Sequence, residues 1–357
     1  MKLEDIDKNL KVPTVTQTDV EWFDAENENF SLHGIFYEES TDRYMRMPTE
    51  IAKQVSDGVN ILAPNTSGGR IRFETDSSYI AIKAAIPKGY VMRHMPMVGS
   101  HGFSLYADNC FEGMYGPEVE SFIKDSGDFY VFDGVRSLRG EKKIREINLF
   151  FPLYNGVKKL QIGLQKGSIL KSAKEYGNKQ KVVFYGSSIT QGGCASRPGN
   201  DYAGMLSRWL DFDYVNLGFS GNGKAEPIMQ EYLAGLHADI YVIDYDYNAP
   251  SVEWLKDTHY SLYQMIRKEN PNAQFIFISK PDFEYSPTAP DRRNVILDTY
   301  VKATANGDKD VYYIDGERLF GDFNRDACTV DTCHPNDFGF FRMAEYIAPY
   351  LRKCLKK

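Results

Sequence analysis

The stretch VVFYGSSITQGG runs from Val182 to Gly193. Four apolar residues lead directly into glycine, two serines and more glycine. A near-continuous apolar run suits a strand buried on both faces of a parallel sheet. Its break into small residues marks a tight strand-to-helix turn. The turn has a structural reading, a tight strand-to-helix connection, and a chemical one, a serine nucleophile held on a bare backbone. The rest of the chain decides between them.

Downstream the same pattern returns. Apolar runs at KVVFYG (181–186), DYVNLGF (213–219), DIYVIDYD (239–246), QFIFISK (274–280) and DVYYID (310–315) alternate with helical stretches. Leu255, His259, Leu262 and Ile266 keep one helical seam, and Met229, Leu233 and Leu236 another. Phe340, Met343, Ala344, Ile347 and Leu351 form the last. Ser251 is placed to cap the helix that carries the first seam. Five strands with helices between them predict a doubly wound α/β domain with a five-stranded parallel sheet.

Upstream the period is two. Ile71 and Phe73 alternate with Arg70, Arg72 and Glu74; Ile80 and Ile82 repeat the pattern after the turn TDSS (75–78). Phe103 with Leu105, the run INLFFPL (147–153), and Leu160, Ile162 and Leu164 add further strands. Many short alternating strands without a long helical period predict an N-terminal antiparallel β-sandwich, jelly-roll-like. The division expected is a sandwich over 1–170 and the α/β domain over 171–357, joined through the polar segment QKGSILKSAKEYGNKQ (165–180).

Composition bounds the partners. A net charge of −7 argues against nucleic acid. No apolar run approaches the roughly 18 residues needed to span a bilayer, and MKLEDIDKNLKVPTV lacks the apolar core of a signal peptide. A cytoplasmic location is expected, or a secreted or periplasmic one if a signal has been removed. The five cysteines are scattered and odd in number, so no disulfide framework is expected, although Cys328 and Cys333 are close in sequence. No CxxC or HExxH signals zinc.

In open α/β sheets, function gathers beyond the carboxyl ends of the strands. Those positions carry Ser187 and Ser188, then Ser220, Gly221 and Asn222, then Asp244, Asp246 and Asn248. Ahead of the last helix stand Asp331 and His334. The set supplies acyl transfer. A serine hydroxyl needs a base, His334, and the imidazole needs an orienting carboxylate, Asp331. An oxyanion needs preorganised donors, available as the N–H groups of Ser188 and Gly221 and the side-chain amide of Asn248. Each element alone is ordinary loop chemistry. Their order along the chain, each at a strand end, carries the specificity.

These residues resemble the SGNH hydrolases, or GDSL esterases, over about residues 178–357. YGSSITQGG is similar to the nucleophile block, and NLGFSGNG and DYDYNAP resemble the two oxyanion blocks. DTCHPNDFG resembles the block that ends in DxxH. The resemblance implies Ser188 as nucleophile, Gly221 and Asn248 as oxyanion donors, and Asp331 and His334 as the rest of a triad. The acidic residue usual before the nucleophile is Ser187 here. GFSLY (102–106) resembles the GxDLY signature of a bacterial two-domain subgroup, with Ser104 in place of aspartate. That subgroup implies hydrolysis or transfer of acyl esters, and several such enzymes deacetylate plant polysaccharides. The function expected is a carbohydrate O-acetylesterase acting on oligosaccharide or small-molecule esters, without metal or organic cofactor. The alternatives are an acyltransferase, and a carbohydrate-binding protein with a vestigial triad.

Gln191, Arg197 and Tyr247 are candidate substrate contacts beside this set, with Tyr185 and Trp254 as flanking aromatics. His94 and His101 could lean over the cleft from the sandwich half. Asp244 and Asp246 could hold a divalent ion but suit loop hydrogen bonding better. Cys333 is expected to pack away from the shared face of Asp331 and His334.

Overall fold

The structure is a computed structural model that describes residues 13–281, 284 and 286–356. The segment 1–12, most of the stretch judged above for a signal peptide, lies outside the described residues. Residues 20–172 form two facing antiparallel sheets. One orders the strands Val20–Asp24, Lys159–Gln165, Tyr79–Pro87 and Phe129–Ser137. The other orders Leu170–Ser172, Arg70–Thr75, Arg145–Phe150, Phe103–Ala107 and Cys110–Tyr115, with Ser31–His33 also on Arg70–Thr75. The alternation read in the sequence puts Ile71, Phe73, Ile80, Ile82, Leu105, Leu160, Ile162 and Leu164 into one shared core.

The polar segment 165–180 is not wholly a linker. Leu170–Ser172 pairs antiparallel with Arg70–Thr75, and Tyr176 lies under the Arg72 guanidinium, 3.8 Å from its ring centre. The first half also holds short helices, Thr49–Val55 and Asp57–Leu62 among them. At under two turns each they are too short to show a helical period against the strand pattern.

The parallel sheet orders Phe212–Gly218, Asn178–Gly186, Ile240–Asp244, Gln274–Ile278 and Val311–Ile314. Successive strand residues serve opposite faces. Val182, Phe184, Ile240, Val242 and Ile276 pack with the helices Tyr202–Leu210 and Asp337–Leu355. Val183, Tyr185, Tyr241, Ile243 and Phe275 pack with Pro227–Gly235, Val252–Glu269 and Ala289–Ala305. Ser251 caps Val252–Glu269 by accepting from Trp254 N–H. Chain direction reverses its march across the sheet between Asn178–Gly186 and its neighbours on either side, the switch point where such folds bind ligands. No helix among the described residues is long and apolar enough to cross a membrane.

The two halves are packed together. Ala52, Val55 and Val59 of the short helices enter the core of the parallel sheet. Arg70 and Arg72, polar partners in the period-two pattern, are buried rather than facing solvent. Arg70 pairs with Asp213 and donates to Tyr214 O at 3.2 Å. Arg46, also buried, donates to Asn216 O at 3.1 Å, Gly218 O at 2.6 Å and Leu62 O at 2.9 Å. Hydrogen bonds to charged groups contribute about 1.5–3 kcal/mol each, which offsets the cost of burying the guanidinium. The Asn216 and Gly218 carbonyls stand at the end of the strand that leads to Gly221.

Candidate active site

Ser188 is the first residue of a short helix, Ser188–Gln191, entered directly from the Asn178–Gly186 strand. Ser187 caps that helix: its hydroxyl accepts from Ile189 N–H at 3.1 Å, and its own N–H donates to Asp244 O at 3.1 Å. The position that commonly holds an acid is thus filled by a residue suited to capping. A Cβ on Gly186 would collide with Asp244 O and Thr190, so glycine is required for strand and helix to approach this closely.

Gly186 pairs with Gly218 on one side and Asp244 on the other. The ends of three adjacent strands therefore bring Ser188, Gly221 and Asn248 to one edge of the sheet. Gly221 has φ +67°, a left-handed conformation that favours glycine, and nothing lies within 4 Å of where its side chain would be. Asn248 follows Ile240–Asp244 in a single 3₁₀ turn, Asp246–Asn248. Its Oδ1 accepts from Gly223 N–H at 3.4 Å, which ties it to the Gly221 loop through the carbonyl end and leaves the amide hydrogens for other partners.

The loop before the last helix supplies the remaining groups. Asp331 Oδ1 accepts from Cys333 N–H at 3.1 Å and from His334 N–H at 2.7 Å. Thr332 takes φ +66° to close this turn. Thr329 and Pro335 bridge the loop ends, and Asn336 caps Asp337–Leu355 through Phe338 and Gly339 N–H. Held this way, His334 Nδ1 lies 2.8 Å from Asp331 Oδ2, and its Nε2 lies 2.9 Å from Ser188 Oγ. Ser188 is 4 % exposed; the His334 and Asp331 side chains are 22 % and 35 % exposed.

Burial pulls the His334 imidazole down, but hydrogen bonding and charge at Cys333 and Asp331 outweigh it and raise the ring to about 9. The Asp331 carboxyl is lowered: burial works against this, but the bonds it accepts from His334 and Cys333 prevail. The turn around Asp331 also corrects the expectation for Cys333. Its thiol lies within 4.8 Å of the Asp331 and His334 ligand atoms, because a turn, unlike a helix, brings i+2 and i+3 around the same carboxylate.

Gln191 is fully buried and bridges three elements. Its Nε2 donates to Leu153 O at 3.2 Å, its Oε1 accepts from Ser220 N–H at 2.9 Å, and its backbone carbonyl accepts from Ser67 Oγ at 2.6 Å. A residue so enclosed cannot meet substrate; it ties the Ser188–Gln191 helix to the Gly221 loop. Arg197 stacks on Phe111 at 3.8 Å and donates to Tyr106 OH, so the sandwich half holds it. Tyr247 is half-buried, with Lys280 Nζ 4.0 Å from its ring centre. Tyr185 is buried, and its hydroxyl accepts from Ala225 N–H. Trp254 donates to Lys224 O. Asp244 Oδ2 faces Thr190 and Tyr202, whereas Asp246 Oδ2 accepts from Lys280 N–H, so the two carboxylates face different partners.

His101 is fully buried, which lowers its ring to about 4. It cannot reach a substrate. His94 does reach the site: its ring meets His334 edge to face at 5.7 Å, and Nε2 lies 3.9 Å from Asp331 Oδ2. Two further groups escape sequence reading. Tyr154, from the first half, donates to Ser188 O at 3.1 Å. Asp337 accepts from Ser196 N–H and Asn200 Nδ2, each at 2.8 Å, and so fastens the loop after the Ser188–Gln191 helix to the helix after His334. Nothing in the local sequence pairs these residues.

Comparison with known proteins places this arrangement. Residues 179–352 match the GDSL-like lipase/acylhydrolase family, and residues 20–170 match the N-terminus of SGNH-hydrolase-type esterases. No curated protein matches the chain in sequence. Among solved structures, a Bacteroides ovatus ATCC 8483 protein assigned as a GDSL-like lipase is 28% identical with TM-score 0.81, covering 94% of this chain and 98% of its own. The salicylyl-acyltransferase SsfX3 of a tetracycline biosynthetic pathway is 18% identical with TM-score 0.75, covering 94% and 98%. A Clostridium thermocellum family two carbohydrate esterase, solved with cellohexaose, is 13% identical with TM-score 0.62, covering 92% and 99%. The last two share the fold. Two adjoining family matches, a sandwich followed by a doubly wound sheet, and likeness along nearly the whole chain lead to one assignment: the chain belongs to the GDSL-like lipase/acylhydrolase family, in the two-domain SGNH-hydrolase subgroup, and is an esterase.

Proposed function

We propose that the protein removes acetyl groups from esterified carbohydrate through an acyl-enzyme on Ser188. The observation that carries this reading is the unbroken chain of hydrogen bonds Asp331–His334–Ser188, at 2.8 and 2.9 Å. Ser188 Oγ attacks the ester carbonyl as His334 Nε2 takes its proton. Asp331 holds the ring with Nδ1–H directed at its carboxylate and stabilises the imidazolium. The N–H groups of Ser188 and Gly221 and the Asn248 amide face the oxyanion. Ser188, as first residue of its helix, has an N–H without an intrahelical partner. His334 returns the proton to the departing sugar hydroxyl, and water then repeats the sequence to release acetate.

A carbohydrate substrate is supported by the neighbours that share the fold. Besides the esterase solved with cellohexaose, they include the acetyl xylan esterase Est2A of Butyrivibrio proteoclasticus, 16% identical with TM-score 0.60, covering 94% of this chain and 99% of its own. The half-buried ring of Tyr247, beside Asn248, suits contact with a sugar face. A second reading, transfer of the acyl group to an alcohol, is favoured by the overall likeness to the salicylyl-acyltransferase. Release of acetate from acetylated xylan, mannan and xyloglucan fragments tests the substrate. Mixed alcohol acceptors separate transfer from hydrolysis by product. Ser188→Ala should abolish hydrolysis of 4-nitrophenyl acetate and labelling by a fluorophosphonate; a variant that still turned over at the native rate would exclude the mechanism.

A further inference from the structure

A thiol and two imidazoles meet at the edge of the site, and the mechanism uses only one of the three. The Cys194 sulfur and one ring nitrogen each from His94 and His334 lie within 4.8 Å of one another. They come from three separate places: a loop of the sandwich half, the turn after the nucleophile helix and the loop before the last helix. Cys194 is a free, buried cysteine held at φ +73°. His94 has a side chain 34 % exposed, on a loop open to solvent.

Two imidazoles and a thiolate form the donor set of zinc-like cations, whereas magnesium and calcium take oxygen ligands. Zn–N bonds of about 2.0–2.1 Å and Zn–S bonds of about 2.3 Å put tetrahedral ligand atoms about 3.5 Å apart. The atoms now lie within 4.8 Å of one another, so the three groups need to close by at most about 1.3 Å, to which a rotation of the exposed His94 ring and small shifts of the Cys194 and His334 loops contribute. We propose that His94, Cys194 and His334 bind a borderline-soft divalent cation such as Zn²⁺, and that this binding reversibly switches the esterase off.

Binding releases the Cys194 proton to solvent and converts the thiol to a thiolate ligand. It also occupies a His334 nitrogen. Nε2 is the atom that faces Ser188 and Nδ1 the atom that faces Asp331, so capture of either one interrupts the chain. The fourth position on the ion is open to water. Asp331, Cys333 and His334 form a neighbouring set within the same distance, but Asp331 already accepts bonds at both oxygens. The silencing part of the proposal rests on the role given to His334 above; the binding part does not.

The test uses chelator-treated protein, Zn²⁺ titration by calorimetry, Cd²⁺ titration followed by thiolate-to-metal absorption, and ester hydrolysis at each occupancy. One ion per chain, a thiolate band and activity that falls in proportion to occupancy are expected, with Mg²⁺ inert. Cys194→Ala should remove the band, and both it and His94→Ala should weaken Zn²⁺ binding and inhibition by about tenfold or more, each against its own metal-free rate. If Cys194→Ala does not fold, Cys194→Ser and His94→Ala carry the comparison. A missing thiolate band would overturn the proposal. So would a band kept in Cys194→Ala and lost in Cys333→Ala, or inhibition unchanged in both variants. Metal-free protein inactive on every ester, yet showing a Cys194-dependent band, would overturn the functional reading and leave the cation site standing.

Discussion

Replacing Asp331 by asparagine separates the two jobs of this side chain. Oδ1 closes the turn by accepting from Cys333 and His334 N–H, and an asparagine carbonyl can still do so. Oδ2 accepts from His334 Nδ1 at 2.8 Å, and an amide NH₂ cannot. The ring then reverses its tautomer and presents Nε2–H to Ser188, where a lone pair is needed. The variant also loses the charge that stabilises the imidazolium. Two charges at this range interact by about 4 kcal/mol at an effective dielectric of 20. Exposures of 35 % and 22 % weaken that by partial solvent screening, so about 3 kcal/mol is a fair value, or roughly a hundredfold in rate. The tautomer penalty adds to it, up to a total of about 10⁴ in kcat for triads of this geometry. Asp331→Asn should therefore lower kcat on 4-nitrophenyl acetate by about 10³–10⁴. Its KM should stay within a few-fold and its thermal unfolding should match the native protein. A variant that kept a third of native kcat with unchanged unfolding would refute the role given to Asp331.

Three other outcomes are expected. His334 is raised to about 9, and a general base works only when neutral, so kcat/KM should fall as pH drops, along a limb with midpoint above 6.5; Asp331→Asn should move that limb down, as rate profiles over pH 5–10 would show. Asn248→Ala, which removes one of the proposed oxyanion donors, should cost about 10²–10³ in kcat with little change in KM, measured by steady-state kinetics. Gln191→Ala should leave Ser220 N–H and Leu153 O unpaired in the interior and destabilise the fold by about 1–3 kcal/mol, read as a lower urea midpoint; a raised KM at unchanged stability would instead mark Gln191 as a substrate contact.

Periodicity made the architecture legible. Residues buried on both faces of a parallel strand form continuous apolar runs, and residues with one buried face alternate, so the change of period separates the two sheet types. The strand ends then nominated Ser188, Gly221 and Asn248, because a parallel sheet with consecutive crossovers must bring those ends to one edge. Asp331 and His334 were legible as a pair three residues apart, but the bond from His334 to Ser188 spans 146 positions and only folding creates it.

What the sequence alone could not decide is which polar residues meet water. Arg70 and Arg72 occupy positions that read as the polar side of an alternating strand, yet both are buried, Arg70 against Asp213 and Tyr214 of the second half. Gln191 reads as a cleft residue and is an internal tie. Tyr154 and His94, from the first half, border the second half's reactive groups. Periodicity reports the apolar side of an element, since burial of apolar surface is roughly additive and local to that element. A polar side chain's partner is chosen by the docking of surfaces distant in sequence, so only the tertiary structure determines whether it is solvated, structural or placed against the reacting atoms.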